Sequence, residues 1–409
     1  MTIPDSQRIV VTGLGPVSPV GSGKEAFWNA IRAGADGSGE VMKFDTSMYK
    51  VHRACEVKDF RPRSLQGDPG PATQLAVAAV ELALEDARLP APRDDARSPL
   101  RHAGVVIGTT GGEIPVLEKM NRQRFGPHKE AVDPADFPKY PCHVIAANVA
   151  RHYGFRGPNQ VVPTACAAGN YAISIGFEWL RSGRAPFVLA GGADPLSVVS
   201  FTGFGRMFAI AADRCRPFDK NRKGILPGEG AGILVLETLE SARRRGARVY
   251  AEVRGYGLSC DAYHPTMPHP EGAGVQLAMR RAMQQAGLQA DDVDYISAHG
   301  TGTQANDKIE SSAIRAVLGA AARKTPISSI KSMIGHTMGA ASALEAIVCS
   351  LAVDTGWIPP TMNYETPDPD CDLDYVPNKA REKRVQVALN NAYAFGGNNS
   401  CVVFASPGA

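Results

Sequence analysis

The sequence predicts an α/β fold built from two related halves. Short runs of β-branched residues alternate with helical stretches along the chain, which is the pattern of strands covered on both faces by helices. Two pairs of segments also resemble each other across the chain. With 409 residues, 44% of them hydrophobic, the chain can bury a substantial core, so we expect folded layers and not disorder.

The predicted strands are runs rich in Val, Ile and Leu that end near Gly, Pro or charged residues. They cover residues 8–15, 103–108, 186–191, 231–237, 249–257, 293–298, 325–330 and 384–392. The predicted helices end near Gly or Pro. They cover residues 24–33, 71–87, 167–182, 239–245, 272–286, 307–318 and 339–355.

The internal echoes predict a duplication. Residues 105–112 resemble residues 295–302, and residues 165–173 resemble residues 338–347. We therefore expect an N-terminal half at 1–248 and a C-terminal half at 249–409. The long stretch 112–141 is rich in Pro and charged residues, which predicts an irregular segment with a functional or interface role.

Composition excludes several classes of protein. The formal net charge of +3 is too small to indicate a nucleic-acid partner or an anionic membrane surface. We find no uninterrupted apolar run of about 18 residues and no secretory signal, so we expect a cytoplasmic protein without membrane contact. The eight cysteines lack a C-x-x-C pair, which indicates neither a disulfide framework nor a metal site.

Cys166 is the first candidate for chemistry. It lies among small residues at 162–170, where a strand is predicted to turn into a helix. The free N–H groups and the dipole of a helix N-terminus favour a thiolate, and hence a nucleophilic cysteine. A lone cysteine is more often a small buried hydrophobic residue, so this motif needs support from others.

Two histidines and a lysine follow on glycine-containing turns. His299 begins a Gly-rich loop after a predicted strand, and Lys331 and His336 lie on a second such loop. Taken singly, each histidine is more often a core or surface residue. Lys331 lies between apolar residues, where an unpaired ammonium group is costly, and Glu345 on the next helix is its natural partner.

A further glycine-rich turn follows the last predicted strand. It contains Phe395 followed by two glycines, which allow backbone N–H groups to approach a ligand and to supply an oxyanion donor. A plain hairpin turn is the alternative for this motif in isolation.

Together these motifs resemble the β-ketoacyl-(acyl carrier protein) synthase family, in particular its discrete, elongating members of type II fatty-acid or polyketide synthesis. Thr-Ala-Cys at 164–166, His-Gly-Thr-Gly-Thr at 299–303 and Lys-Ser-x-x-Gly-His at 331–336 occur in the family's order. The opening strand at 8–15 and a middle signature at 217–232 are also similar, so the resemblance covers essentially the whole chain.

The resemblance implies the thiolase fold, in which two similar mixed-sheet halves stack into five αβαβα layers. It also implies dimerisation through the strand before the nucleophile. The implied activity is an acyltransferase reaction, the decarboxylative Claisen condensation of malonyl thioester with an acyl group. Both substrates are carried on the phosphopantetheine of acyl carrier protein, and no other cofactor or metal is implied.

The resemblance also assigns roles to residues. Cys166 accepts the acyl group, and the N–H groups of Cys166 and Phe395 form the oxyanion hole. His299 and His336 donate hydrogen bonds to the enolate. Phe395 is the gate that admits malonyl groups after acylation.

Supporting roles follow from the same resemblance. Lys331 with Glu345 organises the charge of the site and orients His299, and Asp307 and Glu310 brace the histidine loop. Acyl carrier proteins are acidic, so a basic rim is expected. Among the candidates Arg61, Arg63, Lys129 and Arg206, the last two lie where the family tends to place docking charges.

Two motifs depart from the family's usual pattern. The gate motif has Ala394 in place of Gly and Asn398 in place of Thr, which puts the usual gating in doubt. The nucleophile is followed by Ala167, Ala168 and Gly169, where fatty-acid enzymes more often carry a hydroxyl residue. This difference hints at a specialised acyl substrate, such as a polyketide or polyene chain.

Three other classes of protein fit these residues less well. A non-catalytic chain-length factor shares the fold but lacks the nucleophile, so Cys166 argues against it. The chain could still be the catalytic half of a heterodimer with such a subunit, and homodimer and heterodimer both remain open. A degradative thiolase needs a second catalytic cysteine, whereas Cys401 is predicted inside a strand. Pro16 and Pro19 exclude a dinucleotide-binding loop after Gly15.

Overall fold

The computed structural model describes residues 3–58, 60, 65–95 and 97–408. Ten strands of this part of the chain form one mixed sheet, to which a short strand, Gly21–Ser22, is added. In chain order they are β1 Ile9–Ser18, β2 Gly104–Gly108, β3 Asn159–Val162, β4 Phe187–Asp194, β5 Gly230–Thr238, β6 Ala251–Cys260, β7 Tyr295–Ser297, β8 Ile327–Ser328, β9 Val387–Tyr393 and β10 Asn398–Ala405.

The order of strands across the sheet shows the duplication. It runs β8-β7-β9-β10-β6-β1-β5-β4-β2-β3. In each half the two outer pairs are parallel and the inner pairs are antiparallel. The halves join where β1 pairs with β6, through Ile9↔Val253 and the two pairs that follow. The strands β1 to β5 therefore correspond in order to β6 to β10, as the internal echoes predicted.

The helices pack on both faces of this sheet. They are α1 Lys24–Ala33, α2 Pro71–Ala87, α3 Ile114–Phe125, α4 Val144–Tyr153, α5 Ala168–Arg181, α6 Val198–Arg206, α7 Leu239–Arg244, α8 Ala273–Ala286, α9 Gln304–Leu318, α10 Lys331–Ile334 and α11 Ala341–Thr355. Two-residue strands Gly39–Glu40 with Arg53–Ala54, and Trp357–Ile358 with Arg381–Glu382, form separate small sheets.

The three largest apolar cores of the described residues lie between the layers of helices and strands. Helices α2 and α4 pack on the first half of the sheet, and α8 and α9 pack on the second half. Between them lies the largest core, formed by α5 and α11 together with residues of both halves. Burial of this kind supplies most of the folding free energy. The predicted α/β fold with duplicated mixed-sheet halves in five αβαβα layers is confirmed.

The elements proposed from the sequence are all present, with ends shifted by a few residues. The helices at 24–33 and 71–87 have the predicted bounds. The irregular segment proposed for 112–141 is wrong, because it contains α3 and a single 3-10 segment, Pro134–Lys139. Proline is compatible with the start of α3, because the N–H that it lacks would have no partner within the helix at this position. The boundary at 248 stays a prediction.

One helical span of the described residues, Met338–Thr355, is long and apolar enough to cross a membrane by length and composition, with a mean hydropathy of 1.3. It is 83% buried within the protein. Its apolar side chains belong to the central core. The length and composition of this span are therefore those of a core helix.

Candidate active site

Cys166 lies on a tight connection between strand and helix. Ala165 has a left-handed backbone (φ 49°), a conformation that is costly for a residue with a side chain and is retained where surrounding packing enforces it. A single 3-10 turn, Ala165–Ala167, then leads into α5. Cys166 is 6% exposed, so its thiol is reached only through a cavity.

The equivalent connection of the second half meets the first. Met338 also has a left-handed backbone (φ 52°), and the turn Met338–Ala340 leads into α11. The N–H of Asn170 on α5 donates to Oγ of Ser342 at 3.1 Å. The two helices approach closely at Gly169, where a Cβ would come within 2.6 Å of the backbone nitrogen of Ala343.

Three predicted residues converge at this junction. One ligand atom from each of Cys166, His299 and His336 lies within 4.8 Å of the other two. The histidine rings are 5.6 Å apart between centroids and nearly perpendicular, at 84°. All three side chains are buried. The sulfur and both imidazoles can therefore act on one reacting group.

The outer nitrogen of each imidazole is held by a donor. The N–H of Met338 donates to Nδ1 of His336 at 3.1 Å. The Nζ of Lys331 lies 3.5 Å from Nδ1 of His299 and donates to the carboxylate of Glu345. An Nδ1 that accepts leaves the proton of a neutral imidazole on Nε2, so both rings are arranged as hydrogen-bond donors.

Burial controls the protonation of the two histidines. It lowers the pKa of His299 and of His336 well below 6.5, and the nearby charge of Lys331 lowers both further. The rings are therefore neutral near pH 7.

The thiol departs from the sequence prediction. Burial raises the pKa of Cys166 to about 12, although the charge of Lys331 acts in the opposite direction. The helix N-terminus favours a thiolate, as expected from the sequence, but the loss of hydration at this buried position acts more strongly in the opposite direction.

Two buried carboxylates hold the loop that carries His299. The oxygens of Glu310 accept the N–H groups of His299 and Gly300, each at 2.8 Å. Asp307 accepts the N–H groups of Phe218 at 2.7 Å and Gly302 at 3.2 Å. Burial raises the pKa of Glu310 to about 8 and also raises that of Asp307. The structure thus brings both predicted bracing residues to the histidine loop.

Asp194, at the end of β4, holds the second histidine loop. Its Oδ2 accepts the N–H groups of Thr110 and Gly339, both at 2.6 Å. Its Oδ1 accepts hydrogen bonds from the hydroxyl group of Thr109 at 2.7 Å and from the N–H of Gly111 at 2.9 Å. One buried carboxylate therefore links the turn after His336 to the loop after β2. Burial raises the pKa of Asp194 to about 6.

Two cavities meet at an aromatic wall. A cavity of about 450 Å³ contains Cys166 and both histidines, and a second of about 200 Å³ lies beside it. Phe204, Met207 and Phe395 line both cavities. The rings of Phe204 and Phe395 are 5.6 Å apart, and Phe395 is 37% exposed. Phe395 thus lies where movement of its ring would connect the two spaces.

A metal ion is the alternative occupant of this site. Cys166, His299 and His336 are a set that could ligate an ion. The ammonium group of Lys331 beside His299 opposes a cation electrostatically, and the tautomer of His336 directs a proton into the cavity. The arrangement therefore suits a substrate oxygen better than a metal ion.

Comparison with known families decides the classification. Residues 6–242 match the N-terminal domain of β-ketoacyl synthases, and residues 250–365 match the C-terminal domain. The chain belongs to the β-ketoacyl synthase family. The resemblance inferred from the sequence motifs is thereby confirmed, and the protein is an acyltransferase of the condensing type.

Curated relatives of the β-ketoacyl synthase come from both fatty-acid and polyketide synthesis. The chain is 38% identical to 3-oxoacyl-[acyl-carrier-protein] synthase 2 of Synechocystis sp., over 98% of each chain. It is 40% identical to the tetracenomycin polyketide synthase ketoacyl synthase alpha subunit of Streptomyces glaucescens, over 100% of this chain and 99% of the relative.

Solved structures of ketosynthases share the fold. The ishigamide ketosynthase/chain length factor superposes with a TM-score of 0.93 and 45% identity, over 98% of this chain and 99% of the other. A type II polyketide ketosynthase in complex with its acyl-carrier protein and bound to the hexaketide superposes with a TM-score of 0.90 and 35% identity, over 98% and 99% of the chains. The predicted thiolase fold is thus confirmed.

The docking candidates lie on the surface in different settings. Arg206 is exposed at the end of α6, next to Met207 in the wall of both cavities. Lys129 is exposed in the segment after α3, and α3 packs against α6. Arg61 and Arg63 lie outside the described residues.

Three residues of the site were missed in the sequence. Phe204 and Met207 line both cavities, and Asp194 holds the turn after His336. The sequence does contain a signal for Phe204, which lies between two glycines and so has a glycine neighbour, as Phe395 does. For Asp194 the only signal is its place three residues after a predicted buried strand, 186–191.

Proposed function

We propose that this chain catalyses the decarboxylative condensation of malonyl-acyl carrier protein with an acyl group held on Cys166, which lengthens the chain by two carbons. The convergence of Cys166, His299 and His336 within 4.8 Å carries this proposal. It places a nucleophile and two N–H donors around one site, as the two half-reactions require.

In the first half-reaction, the sulfur of Cys166 attacks the carbonyl carbon of an acyl thioester. Because burial keeps the thiol protonated at rest, its proton must leave during attack, and it ends on the departing pantetheine thiol. The N–H groups of Cys166 and Phe395 serve as the oxyanion hole, and Lys331 supplies positive charge that favours the transient thiolate.

In the second half-reaction, malonyl thioester loses carbon dioxide. The electrons of the broken C–C bond form an enolate, whose oxygen accepts hydrogen bonds from Nε2 of His299 and of His336. The enolate carbon attacks the acyl carbonyl on Cys166, and the sulfur leaves as thiolate, which regains a proton. Neutral donors suit this step, because the site must stabilise developing negative charge without giving up a proton.

Lys331 acts through its neighbours. Its ammonium group contacts Glu345 and faces Nδ1 of His299, so it fixes the tautomer of that ring and does not itself meet a substrate carbonyl. The carbanion comes from decarboxylation, so the proposed reaction requires no redox cofactor and no metal. The phosphopantetheine of the carrier protein is the only prosthetic group involved.

We also propose a cytoplasmic dimer that docks acyl carrier protein. Strand β3 lies at one end of the sheet, and its residues Asn159 and Gln160 are exposed, so its free edge can pair with the same edge of a second chain. That chain is either identical or of the chain length factor type, as in the ishigamide assembly. Lys129 and Arg206 are the proposed contacts for the acidic carrier protein.

Intact mass spectrometry tests the function. The purified chain is mixed with an acyl-carrier-protein thioester, and malonyl-carrier protein is then added. We expect an acyl adduct that Cys166→Ala abolishes and that malonyl-carrier protein discharges. Cys260→Ala, at the exposed cysteine, is the matched control and should keep the adduct. Absence of an adduct with every acyl chain would contradict the proposed function.

A further inference from the structure

A buried arginine lies behind the loop that carries His299. Arg222, in the segment between α6 and β5, is 2% exposed and lies outside the described lining of either cavity. Its guanidinium group donates to the carbonyl oxygen of Thr303 at 3.1 Å and to that of Gln304 at 3.2 Å. Its own carbonyl oxygen accepts the side-chain amide of Gln304 at 2.7 Å. These hydrogen bonds join the arginine to the start of α9.

Two carboxylates balance the charge of Arg222. Asp368 accepts a hydrogen bond from Nη1, and Asp307 lies 3.6 Å from Nε. Asp307 also accepts the N–H groups of Phe218 and Gly302, so it connects the arginine to the same loop. A buried cation is costly unless it is paired and hydrogen-bonded. These partners therefore fix the guanidinium group in one position.

The loop is held from one side and lines the larger cavity with the other. The N–H of Gly224 donates to the carbonyl oxygen of Gly302 at 2.9 Å, and Arg222 binds the next two carbonyl oxygens. Thr301 and Thr303 line the larger cavity, and their hydroxyl oxygens are 2.9 Å apart. A displacement of residues 302–304 would therefore displace a pair of hydroxyl groups in the cavity wall.

This pair of hydroxyl groups suits the arm of a carrier-bound thioester. Cys166 is reached only through the larger cavity, so the pantetheine arm must enter it beside Thr301 and Thr303. The arm contains amide groups, which lose hydrogen bonds to water on entry, and an unpaired buried amide weakens binding. A hydroxyl group can donate to an amide oxygen and can accept from an amide N–H. Hydroxyl groups held in a fixed place can therefore replace the lost water.

We propose that Arg222 is a positioning residue for the pantetheine arm, because it holds residues 302–304 so that the hydroxyl groups of Thr301 and Thr303 bind the amide groups of the arm. This inference rests on the proposed function and names a residue that sets the affinity of the site for its thioesters. Since Arg222 acts through the loop, its loss should weaken binding of the arm more than it slows the reaction at the sulfur.

Arg222→Lys is the test variant. Lysine keeps the positive charge beside Asp307, but its ammonium group lacks the planar fork that meets the oxygens of Thr303, Gln304 and Asp368 together. The variant therefore removes the positioning of the loop and retains the balance of charge.

Acylation of Cys166 by two thioesters measures the effect. The full chain is mixed with butanoyl-pantetheine, whose arm has amide groups, or with the butanoyl thioester of ethanethiol, which has none. Intact mass follows the initial rate of each adduct at several concentrations. In Arg222→Lys the half-saturating concentration of butanoyl-pantetheine should rise about tenfold, which corresponds to the loss of about one or two hydrogen bonds. The maximal rate, and the rate with the ethanethiol ester, should change little.

The outcomes separate the inference from the proposed function. If the wild-type protein does not prefer butanoyl-pantetheine, or if Arg222→Lys keeps the wild-type preference, the inference is overturned. If the wild-type protein forms no adduct with either thioester, the proposed function fails, and the inference fails with it.

Arg245→Lys is the matched control. Arg245 also binds a buried carboxylate, that of Glu237, and a carbonyl oxygen, that of Ala87, but it lies outside the described lining of either cavity. This variant should lose stability and keep the preference for butanoyl-pantetheine. An equal loss of preference in both variants would indicate general destabilisation and would overturn the inference.

Asp368→Ala keeps the test decisive if Arg222→Lys does not fold. It leaves the arginine in place and removes a partner whose side chain is 12% exposed, and the half-saturating concentration of butanoyl-pantetheine should again rise. Thr303→Val removes one of the hydroxyl groups and should raise it as well. The two increases should not multiply in the double variant, because both act through the same hydrogen bonds. Fully multiplicative increases would contradict an action through the loop.

Discussion

The N–H of Met338 donates to Nδ1 of His336 at 3.1 Å, and Met338 itself has a left-handed backbone. The strained residue thus aims its N–H at the outer nitrogen of the ring and leaves the inner nitrogen to carry the proton. The chemistry of His336 is therefore set by a backbone N–H, which every substitution of Met338 except proline retains.

The first prediction concerns pH and activity. Burial lowers the pKa of His299 and His336 well below 6.5, so both stay neutral between pH 8 and pH 6. The rate at which malonyl-carrier protein is decarboxylated should therefore not fall with a midpoint near pH 6.5. The measurement is carbon dioxide release at constant ionic strength, and a midpoint near 6.5 would show that a histidine titrates as in water.

The second prediction concerns pH and stability. The unfolded chain binds protons at its histidines near pH 6.5, whereas buried His336 does not, so the free energy of unfolding should fall as pH drops below 6.5. One such group contributes up to about 1.4 kcal/mol per pH unit. Denaturant unfolding of His336→Asn should show a smaller decline between pH 6.5 and 5. Exposed His52→Asn is the control, and an equal decline in both variants would contradict the assignment.

The third prediction concerns the thiol. Because burial raises the pKa of Cys166 to about 12, its alkylation by iodoacetamide should keep accelerating up to pH 10, about tenfold per pH unit. Peptide mass spectrometry follows the modified cysteine. Lys331→Ala should slow alkylation further at each pH, since the lysine charge favours the thiolate. A plateau near pH 7 would instead indicate a resting thiolate.

The fourth prediction concerns the gate. Ala394 has an extended backbone (φ −140°, ψ 156°), which alanine adopts without strain. Its methyl group therefore only reduces the number of other backbone conformations that residue 394 can adopt. Ala394→Gly should cost about 0.5–1 kcal/mol of stability and should raise malonyl decarboxylation in the absence of an acyl primer. Ala247→Gly, in a loop far along the chain from the gate, is the control. No rise in Ala394→Gly would show that this methyl group does not restrict Phe395.

The fifth prediction concerns Asp194. An amide at this position can no longer accept all four donors, and one buried donor left unpaired costs about 1–3 kcal/mol. Asp194→Asn should lower stability by that amount and slow decarboxylation more than acylation of Cys166, since it loosens the turn after His336. Exposed Asp291→Asn serves as the control. Equal slowing of both half-reactions would indicate a general structural role.

Much of the fold could be predicted because local signals agree with the tertiary structure. Helices α1 and α2 end at the predicted residues, since Gly34 and Arg88 adopt left-handed caps. The prediction for segment 112–141 was wrong because its prolines and charges are typical of a loop. Pro115, however, lies in the first turn of α3. The motif residues were found through spacing and order, which reflect the turns that hold them.

What the sequence could not supply was the environment of each group. The direction of the pKa shift of Cys166 depends on its 6% exposure, which follows from the packing of α5 against α11. Phe204 and Met207 could not be placed in the wall of two cavities, because α6 was itself not predicted. The role of Asp194 depends on hydrogen-bond donors that lie more than 80 residues away in the sequence.

The central position of β1 also constrains how the chain folds. Ile9 pairs with Thr238 on one side and with Val253 on the other, so during synthesis β1 cannot pair with either strand until the chain beyond residue 230 has been made. Closing such long loops is slow. Until then the apolar residues of β1 remain exposed, which favours aggregation and chaperone binding. A nascent chain that stalls before β5 would lack both of the long strands that flank β1.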